Sequence, residues 1–333
     1  MATTELVEYK KNKINEITVN YNKNVNNITQ YYLNIINILS RSRNLNRNIQ
    51  INNVKNILNT KIEILKNQYN NDLLAINNLT MNKFSPSIIG KNALLVGIIY
   101  KGTENQLNGC INDVFSINER IKTQGFQNIK LLTDNTEQKP TRNNILNEFK
   151  NLLINSKTGD LLIFVYSGHG SYMQDRNNDE KTGCDELIIP IDQNPIVDDE
   201  LKTIIQTYLK KDVTLFAMFD SCFSGSVLDL KYQYLDSLDY DKFTENDKEL
   251  ETLGDVLCIS GCTDKQTSAD SNINNTYHGA LTWALLETLN NKKVETWREL
   301  IKNMRDLLKT SGYSQIPQFS SGKFINIDSN VFI

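Results

Sequence analysis

Leu161-Leu162-Ile163-Phe164-Val165-Tyr166-Ser167-Gly168-His169-Gly170 and Leu215-Phe216-Ala217-Met218-Phe219-Asp220-Ser221-Cys222-Phe223-Ser224-Gly225 decide how this chain is read. Each is an unbroken apolar run, rich in β-branched and aromatic residues and closed by Gly or Ser. Alternation would mean one wet face; an unbroken run predicts a strand covered on both faces, as in a parallel α/β sheet. Open α/β sheets carry their sites at the carboxyl ends of strands. The two runs therefore deliver His169 and Cys222 to one edge. A thiolate is the attacking species there, and a neighbouring imidazole lowers the thiol pKa and returns the proton to a leaving amine. Gly170 and the Cys222 backbone offer N–H groups to a developing oxyanion, since glycine lets the backbone come close. The chemistry implied is acyl transfer, most simply peptide hydrolysis. Taken singly, either residue reads as core filler at a strand end. Their joint placement favours a site.

The same alternation extends outward. Strands are predicted at Ala93 to Tyr100, Ile129 to Leu132, Leu187 to Pro190, Val213 to Phe219 and Val256 to Ser260. Helices are predicted at Ile111 to Gln124, from a Thr141 cap to Leu153, from Asp198 to Leu209, and near Gly279 to Leu289 and Thr296 to Leu308. Asp198 and Asp199 suit a first turn, where the helix dipole favours acids. Strands alternating with helices predict a largely parallel sheet sandwiched by helices.

Residues 1–88 differ in kind. They are rich in Asn, Ile and Lys, with apolar residues at Ile14, Ile17, Tyr21, Val25 and Ile28 and again at Ile51, Val54, Leu58, Ile62 and Leu65. That spacing predicts two long amphipathic helices as a hairpin or coiled coil, against the competing reading of a disordered Asn-rich arm. The Ser85-Pro86-Ser87 step marks the boundary. Residues 1 to 90 carry 11 Lys and Arg against 5 Asp and Glu, so the front is basic although the whole chain of 333 residues has a net charge of -3. Most of that positive charge reads as a solvated face, and self-association is the partner expected of the arm; no nucleic acid is expected. No charged leader with an apolar core opens the chain and no run is long enough to span a bilayer, so an intracellular, cytoplasmic protein is expected. Cys110, Cys184, Cys222, Cys258 and Cys262 are odd in number without CxxC spacing, which indicates neither a disulfide framework nor a zinc site. No GxxxxGK[ST] or GxGxxG follows the first strand, so no nucleotide site is expected.

Five segments in order, Leu107-Asn108-Gly109-Cys110-Ile111-Asn112-Asp113, Tyr166 to Gly170, Asp220 to Gly225, Gly261-Cys262-Thr263-Asp264-Lys265-Gln266-Thr267-Ser268-Ala269-Asp270 and Ser314-Gln315-Ile316-Pro317-Gln318, closely resemble the metacaspases, caspase-fold cysteine peptidases of clan CD, family C14. The resemblance covers roughly residues 90 to 330. It implies a catalytic domain over 89–333, with a large-subunit-like part 89–229, a linker loop 230–254 and a small-subunit-like part 255–333. It implies His169 and Cys222 as the dyad and cleavage after Arg or Lys, with Cys110, Asp113, Ser167 and Asp220 around S1. Two carboxylates there would stabilise a cationic side chain and reject an acidic one. It also implies an activating Ca2+ held by Asp185, Asp198, Asp199 and Asp229, oxygen ligands such as a hard cation needs. Asp175, Asp179 and Glu180 are weaker candidates in the same loop. Self-cleavage is expected after Lys231, Lys242 or Lys248, taken as exposed in the linker. Phe223 stands where the family commonly has His, and Cys184 where an aromatic is usual; neither removes a dyad member. The competing reading is a pseudoenzyme or scaffold assembled through the helical arm. His278, the other histidine, follows polar Asn274 to Tyr277 and lacks a strand-end setting, so it is a poor candidate base.

Overall fold

The computed structural model describes residues 2–41, 46–78, 88–174, 183–222, 227–236, 239–246, 249–261, 270–273 and 276–333. The chain forms two compact units, Met1–Asn82 and Lys83–Ile333. In the first, α1 (Ala2–Ser40) and α2 (Arg47–Asn78) pack along each other. Asn is a weak helix former, so it is the apolar seam that holds them. Tyr21 stacks on Tyr69 with ring centroids 4.5 Å apart, and Thr18 Oγ1 lies 3.1 Å from the Tyr69 hydroxyl. The antiparallel hairpin expected from the periodicity is thus formed. Val19, Tyr31, Ile38 and Ile64 lie off that seam and remain exposed.

The second unit is built on an eight-stranded sheet. Its parallel part comprises β1 (Lys91–Gly97), β2 (Asn128–Thr133), β3 (Leu161–Ser167), β7 (Thr214–Asp220) and β10 (Asp255–Ser260), in the order β2-β1-β3-β7-β10. β13 (Gln318–Ser321), β8 (Tyr232–Asp236) and β9 (Asp239–Glu245) extend it antiparallel at one edge. A separate three-stranded sheet holds β4 (Gly170–Gln174), β5 (Cys184–Ile188) and β6 (Ile196–Val197), and β11 (Asp270–Ile273) pairs with β12 (Thr276–Gly279). The helices are α3 (Cys110–Thr123), α4 (Arg142–Ile154), α5 (Asp198–Tyr208), α6 (Ala280–Asn291) and α7 (Trp297–Thr310).

Alternate residues of each apolar strand serve two cores. Ile163, Val165, Phe216 and Met218 pack with residues of α3, α6 and α7, while Leu162, Phe164, Ala217 and Phe219 pack with α4 and α5. Covering both faces is why the runs are unbroken. Phe164 sits 4.6 Å from Phe149 and 5.6 Å from Phe219, centroid to centroid. Truncating such a ring to Ala costs about 3–5 kcal/mol. The Thr141 cap is formed, its side chain accepting from the Asn144 N–H.

Two expectations are corrected. The strand expected at Leu187 to Pro190 runs from Cys184 to Ile188 instead, its end set by pairing with β4 and β6. The stretch expected to be a linker loop contains β8 and β9, because Tyr232 and Tyr234 turn inward to pack on Phe243, Phe319 and Phe324.

Candidate active site

β3 and β7 are neighbours, with Ser167 level with Asp220. His169 and Cys222 each lie two residues beyond that pair, and the parallel register puts both at the same end of the sheet. The two loops interlock at Gly170, where any side chain would run into the Cys222 carbonyl oxygen. Only glycine admits that approach. Ile189 N–H donates to the His169 carbonyl at 3.1 Å, which makes Gly170–Ile188 a non-hydrogen-bonded pair of the antiparallel β4–β5 ladder. The Gly170 N–H is therefore not consumed by β5, which is what an oxyanion donor requires.

His169 is held from several sides. Its Nε2 lies 2.6 Å from the Asn105 carbonyl oxygen. A carbonyl only accepts, so Nε2 carries a proton and the lone pair of the neutral ring is on Nδ1. The Tyr100 hydroxyl accepts from the His169 N–H at 2.9 Å and the Tyr166 hydroxyl donates to the His169 carbonyl at 2.8 Å. The Tyr100 ring lies 4.6 Å from the imidazole. Burial, and the neighbouring Cys110 thiol among lesser causes, push both phenols well above their ordinary range, so they serve as neutral clamps. Sequence reasoning missed Tyr100, Tyr166 and Asn105; a buried tyrosine at the end of each strand, needing a partner for its hydroxyl, was the available signal for the first two.

Asp113, Ser167 and Asp220 are brought together. Asp113 is fully buried. Its Oδ2 accepts from Ser167 Oγ at 2.8 Å and from the Gly279 N–H at 3.0 Å. Its Oδ1 lies 3.1 Å from the same N–H and 3.0 Å from His278 Nδ1. Asp220 Oδ2 accepts from the N–H and the hydroxyl of Thr282, each at 2.8 Å. The two carboxylates converge on Gly279, where a side chain would strike both. Burial, with Asp220 adding to it, pushes Asp113 up to about 7, against the pull of His278, Ser167 and the Gly279 N–H. Cys110 opens the helix that carries Asp113. Its thiol is buried at the start of α3, close enough to the Tyr100 and Tyr166 phenols to raise them. His278 and Thr282 are the members that sequence reasoning did not find.

A second acidic group lies at Asp185, Glu186, Asp198, Asp199 and Asp229. Carboxylate oxygens of Asp185, Asp198 and Asp199 come within 4.8 Å of one another, as do those of Glu186, Asp198 and Asp229. All except Asp199 are buried. Asp198 is fixed as a hinge of the group, accepting from the Glu186 N–H at 2.7 Å and the Asp199 N–H at 2.8 Å. Lys202 supplies a nearby cation, 2.8 Å from Glu249, 3.7 Å from Asp229 and 4.0 Å from Asp199. An excess of convergent oxygens and no nitrogen or sulfur fits a hard cation such as calcium. Asp175, Asp179 and Glu180 lie outside the described residues.

Lys231 is not the exposed lysine expected. Its ammonium is 3.5 Å from Glu245 and 3.1 Å from the Glu249 carbonyl, with the side chain 19% exposed. Strand pairing of β8 with β9 folds it against those partners. The Lys242 side chain and Lys248 lie outside the described residues, as do Phe223 and Cys262. Among the described residues no helix is long and apolar enough to cross a membrane.

Residues 91–231 match the family described as metacaspase, peptidase C14 domain. The chain is 34% identical over 284 residues to Metacaspase-1 of Meyerozyma guilliermondii, covering 69% of each. It is 36% identical over 260 residues to Metacaspase-2 of Trypanosoma brucei brucei, covering 71% of this chain and 74% of that one. With Metacaspase-1 of Plasmodium falciparum the identity is 36% over 250 residues, 70% of this chain and 40% of that one. A crystal structure of a Geobacter sulfurreducens protein superposes with a TM-score of 0.55 at 24% identity, over 73% of this chain and 98% of that one, a likeness of fold alone.

Proposed function

We propose, from the premise that this chain belongs to the metacaspases and is a cysteine-type peptidase, that it is a calcium-stimulated endopeptidase cutting after Arg or Lys with Cys222 as nucleophile and His169 as base. The observation that carries the reading is the His169 ring, with Nε2 spent on the Asn105 carbonyl and Gly170 packed on the Cys222 carbonyl. Nδ1 takes the Cys222 thiol proton, and the thiolate attacks the scissile carbonyl. The resulting oxyanion accepts from the N–H groups of Gly170 and Cys222. As the tetrahedral adduct collapses, the C–N bond breaks and Nδ1 returns the proton to the leaving amine. Water, deprotonated by the same nitrogen, then hydrolyses the thioester. A positioned base contributes about 10²–10⁴ in rate and one oxyanion donor about 10²–10³.

Asp113 and Asp220 are the acids for a P1 cation. Asp185, Asp198, Asp199 and Asp229 would hold calcium, with Glu186 as an additional oxygen donor. Bound there, calcium would supply positive charge to these crowded carboxylates. Self-cleavage after Lys231, Lys242 or Lys248 belongs to the same reading; at Lys231 its ion pair must first open. The apolar side chains exposed on α1 and α2 support self-association of residues 1–88. The test is a fluorogenic panel ending in Arg, Lys or Asp, with calcium or chelator, on wild type and Cys222→Ala. Cleavage after Arg or Lys that requires both calcium and Cys222 is expected. Silence of folded wild type across the panel would favour the scaffold reading. Intact mass in calcium, wild type against Cys222→Ala, tests self-cleavage; identical masses count against it.

A further inference from the structure

Three donors are spread over both oxygens of the buried Asp113 carboxylate. Oδ1 faces His278 Nδ1 and the Gly279 N–H, and Oδ2 faces Ser167 Oγ and the same Gly279 N–H. Because Asp113 is fully buried behind these donors, a guanidinium or ammonium can reach it only where one of them moves aside. Ser167 cannot leave, because it is fully buried at the end of β3. The Gly279 N–H cannot leave either, because it is backbone at the start of α6. His278 differs from both. Its side chain is 17% exposed while the Asp113 side chain it covers is 0% exposed, so the imidazole is the solvent-facing member of the shell.

His278 lies on β12, in the hairpin that also ends on Gly279. β11 and β12 form a two-stranded sheet of their own, outside the eight-stranded one. Besides His278 and the Gly279 N–H, the hairpin meets α3 through Asn112 Nδ2, which donates to the Tyr277 carbonyl at 2.9 Å in an exposed position. Water replaces such a surface bond at small net cost. Gly279 lets Asp220 and Asp113 converge just behind the imidazole, so what takes its place meets two carboxylates at once.

We propose that His278 is a specificity-determining residue that occupies the cation seat in the resting protein, so that a substrate's Arg or Lys side chain binds by displacing the imidazole from Asp113. The proposal rests on the reading of Asp113 and Asp220 as the P1 acids. His278 is then a competitor built into the chain. It keeps the acids paired until a basic side chain arrives, and it lowers apparent affinity for that side chain without touching the bond-breaking atoms.

Removing the competitor returns the affinity it withheld. His278→Ala is expected to lower KM for a peptide with P1 Arg by about tenfold, the scale of one hydrogen bond to a charged group. kcat for the P1 Arg peptide should stay within about twofold, because the bond-breaking atoms are untouched. His278→Asn, whose amide nitrogen can take the Nδ1 position, should restore the wild-type KM. An unchanged or raised KM in His278→Ala overturns the proposal. A second readout leaves His278 in place. The chain has only 2 histidines, so the His278 ring signals in NMR are readily assigned. Saturating Cys222→Ala protein with the P1 Arg peptide, at many times the wild-type KM, should shift them. Unmoved signals overturn the proposal as well. Failure of the underlying reading is distinguishable, since wild type would then show no P1 preference before any variant is made.

Discussion

Two groups of carboxylates flank Cys222 in sequence, Asp220 two residues before it and Asp229 seven after, and their surroundings meet charge in opposite ways. Asp113 and Asp220 are cradled by the N–H groups of Gly279 and Thr282, the hydroxyls of Ser167 and Thr282, and the His278 imidazole. Such a cradle fixes geometry. Asp185, Glu186, Asp198, Asp199 and Asp229 crowd together instead, with Lys202 as the ammonium beside Asp199 and Asp229. Buried charge is tolerated when it is paired or bound to metal. On the function proposed here, the first group serves a cation that comes and goes with substrate, and the second one that resides.

The largest effect should come from neutralising the cradle. Asp113→Asn with Asp220→Asn should lower kcat/KM for P1 Arg by about 10²–10³, as expected for losing two charged-group hydrogen bonds, and leave P1 citrulline hydrolysis within a few-fold. Steady-state kinetics on the pair of peptides checks this. Next, Asp198→Asn should weaken calcium binding by at least about tenfold in isothermal titration, since two oxygen triads share that residue. The same variant should raise the melting temperature in chelator by about 2–4 °C for each kcal/mol of repulsion relieved, and lose that advantage in calcium.

A smaller effect concerns pH. Burial raises the Asp113 carboxyl from 3.8 to about 7, so the folded state holds a proton that the unfolded chain releases. Stability from this group is full below about pH 4 and is lost as pH rises towards about 7, then levels. Comparing the melting temperature of Asp113→Asn with wild type across that window should show the variant gaining on wild type as pH rises. A constant difference would contradict it. Smallest of all, Lys202→Met should tighten calcium binding a few-fold by removing a cation 3.7 Å from Asp229, on the scale of a partly buried ion pair; titration calorimetry reads it.

The sheet was legible because its strands are buried on both faces, and so read as unbroken apolar runs that end on His169 and Cys222. The acids were legible as residues, and three of the four expected around calcium, Asp185, Asp198 and Asp199, meet directly. What escaped was settled across space. The Asn105 carbonyl is backbone and carries no side-chain signature. His278 looked inert beside polar neighbours, and its partner Asp113 lies 165 residues away. The strands β8 and β9 hide in a charged stretch in which Tyr232, Tyr234 and Phe243 report an inward face. Glu186, next to Asp185 on β5, was hidden by that neighbour.

The division of labour between the two acidic groups is tested most directly by the ratio of kcat/KM for P1 Arg over P1 citrulline, measured along a calcium titration in wild type, Asp113→Asn and Asp198→Asn. Asp113→Asn should collapse the ratio and keep the wild-type calcium midpoint. Asp198→Asn should keep the ratio and move the midpoint to higher calcium. An Asp113→Asn enzyme that retains the Arg preference, or one whose calcium midpoint moves with it, would contradict the assignment.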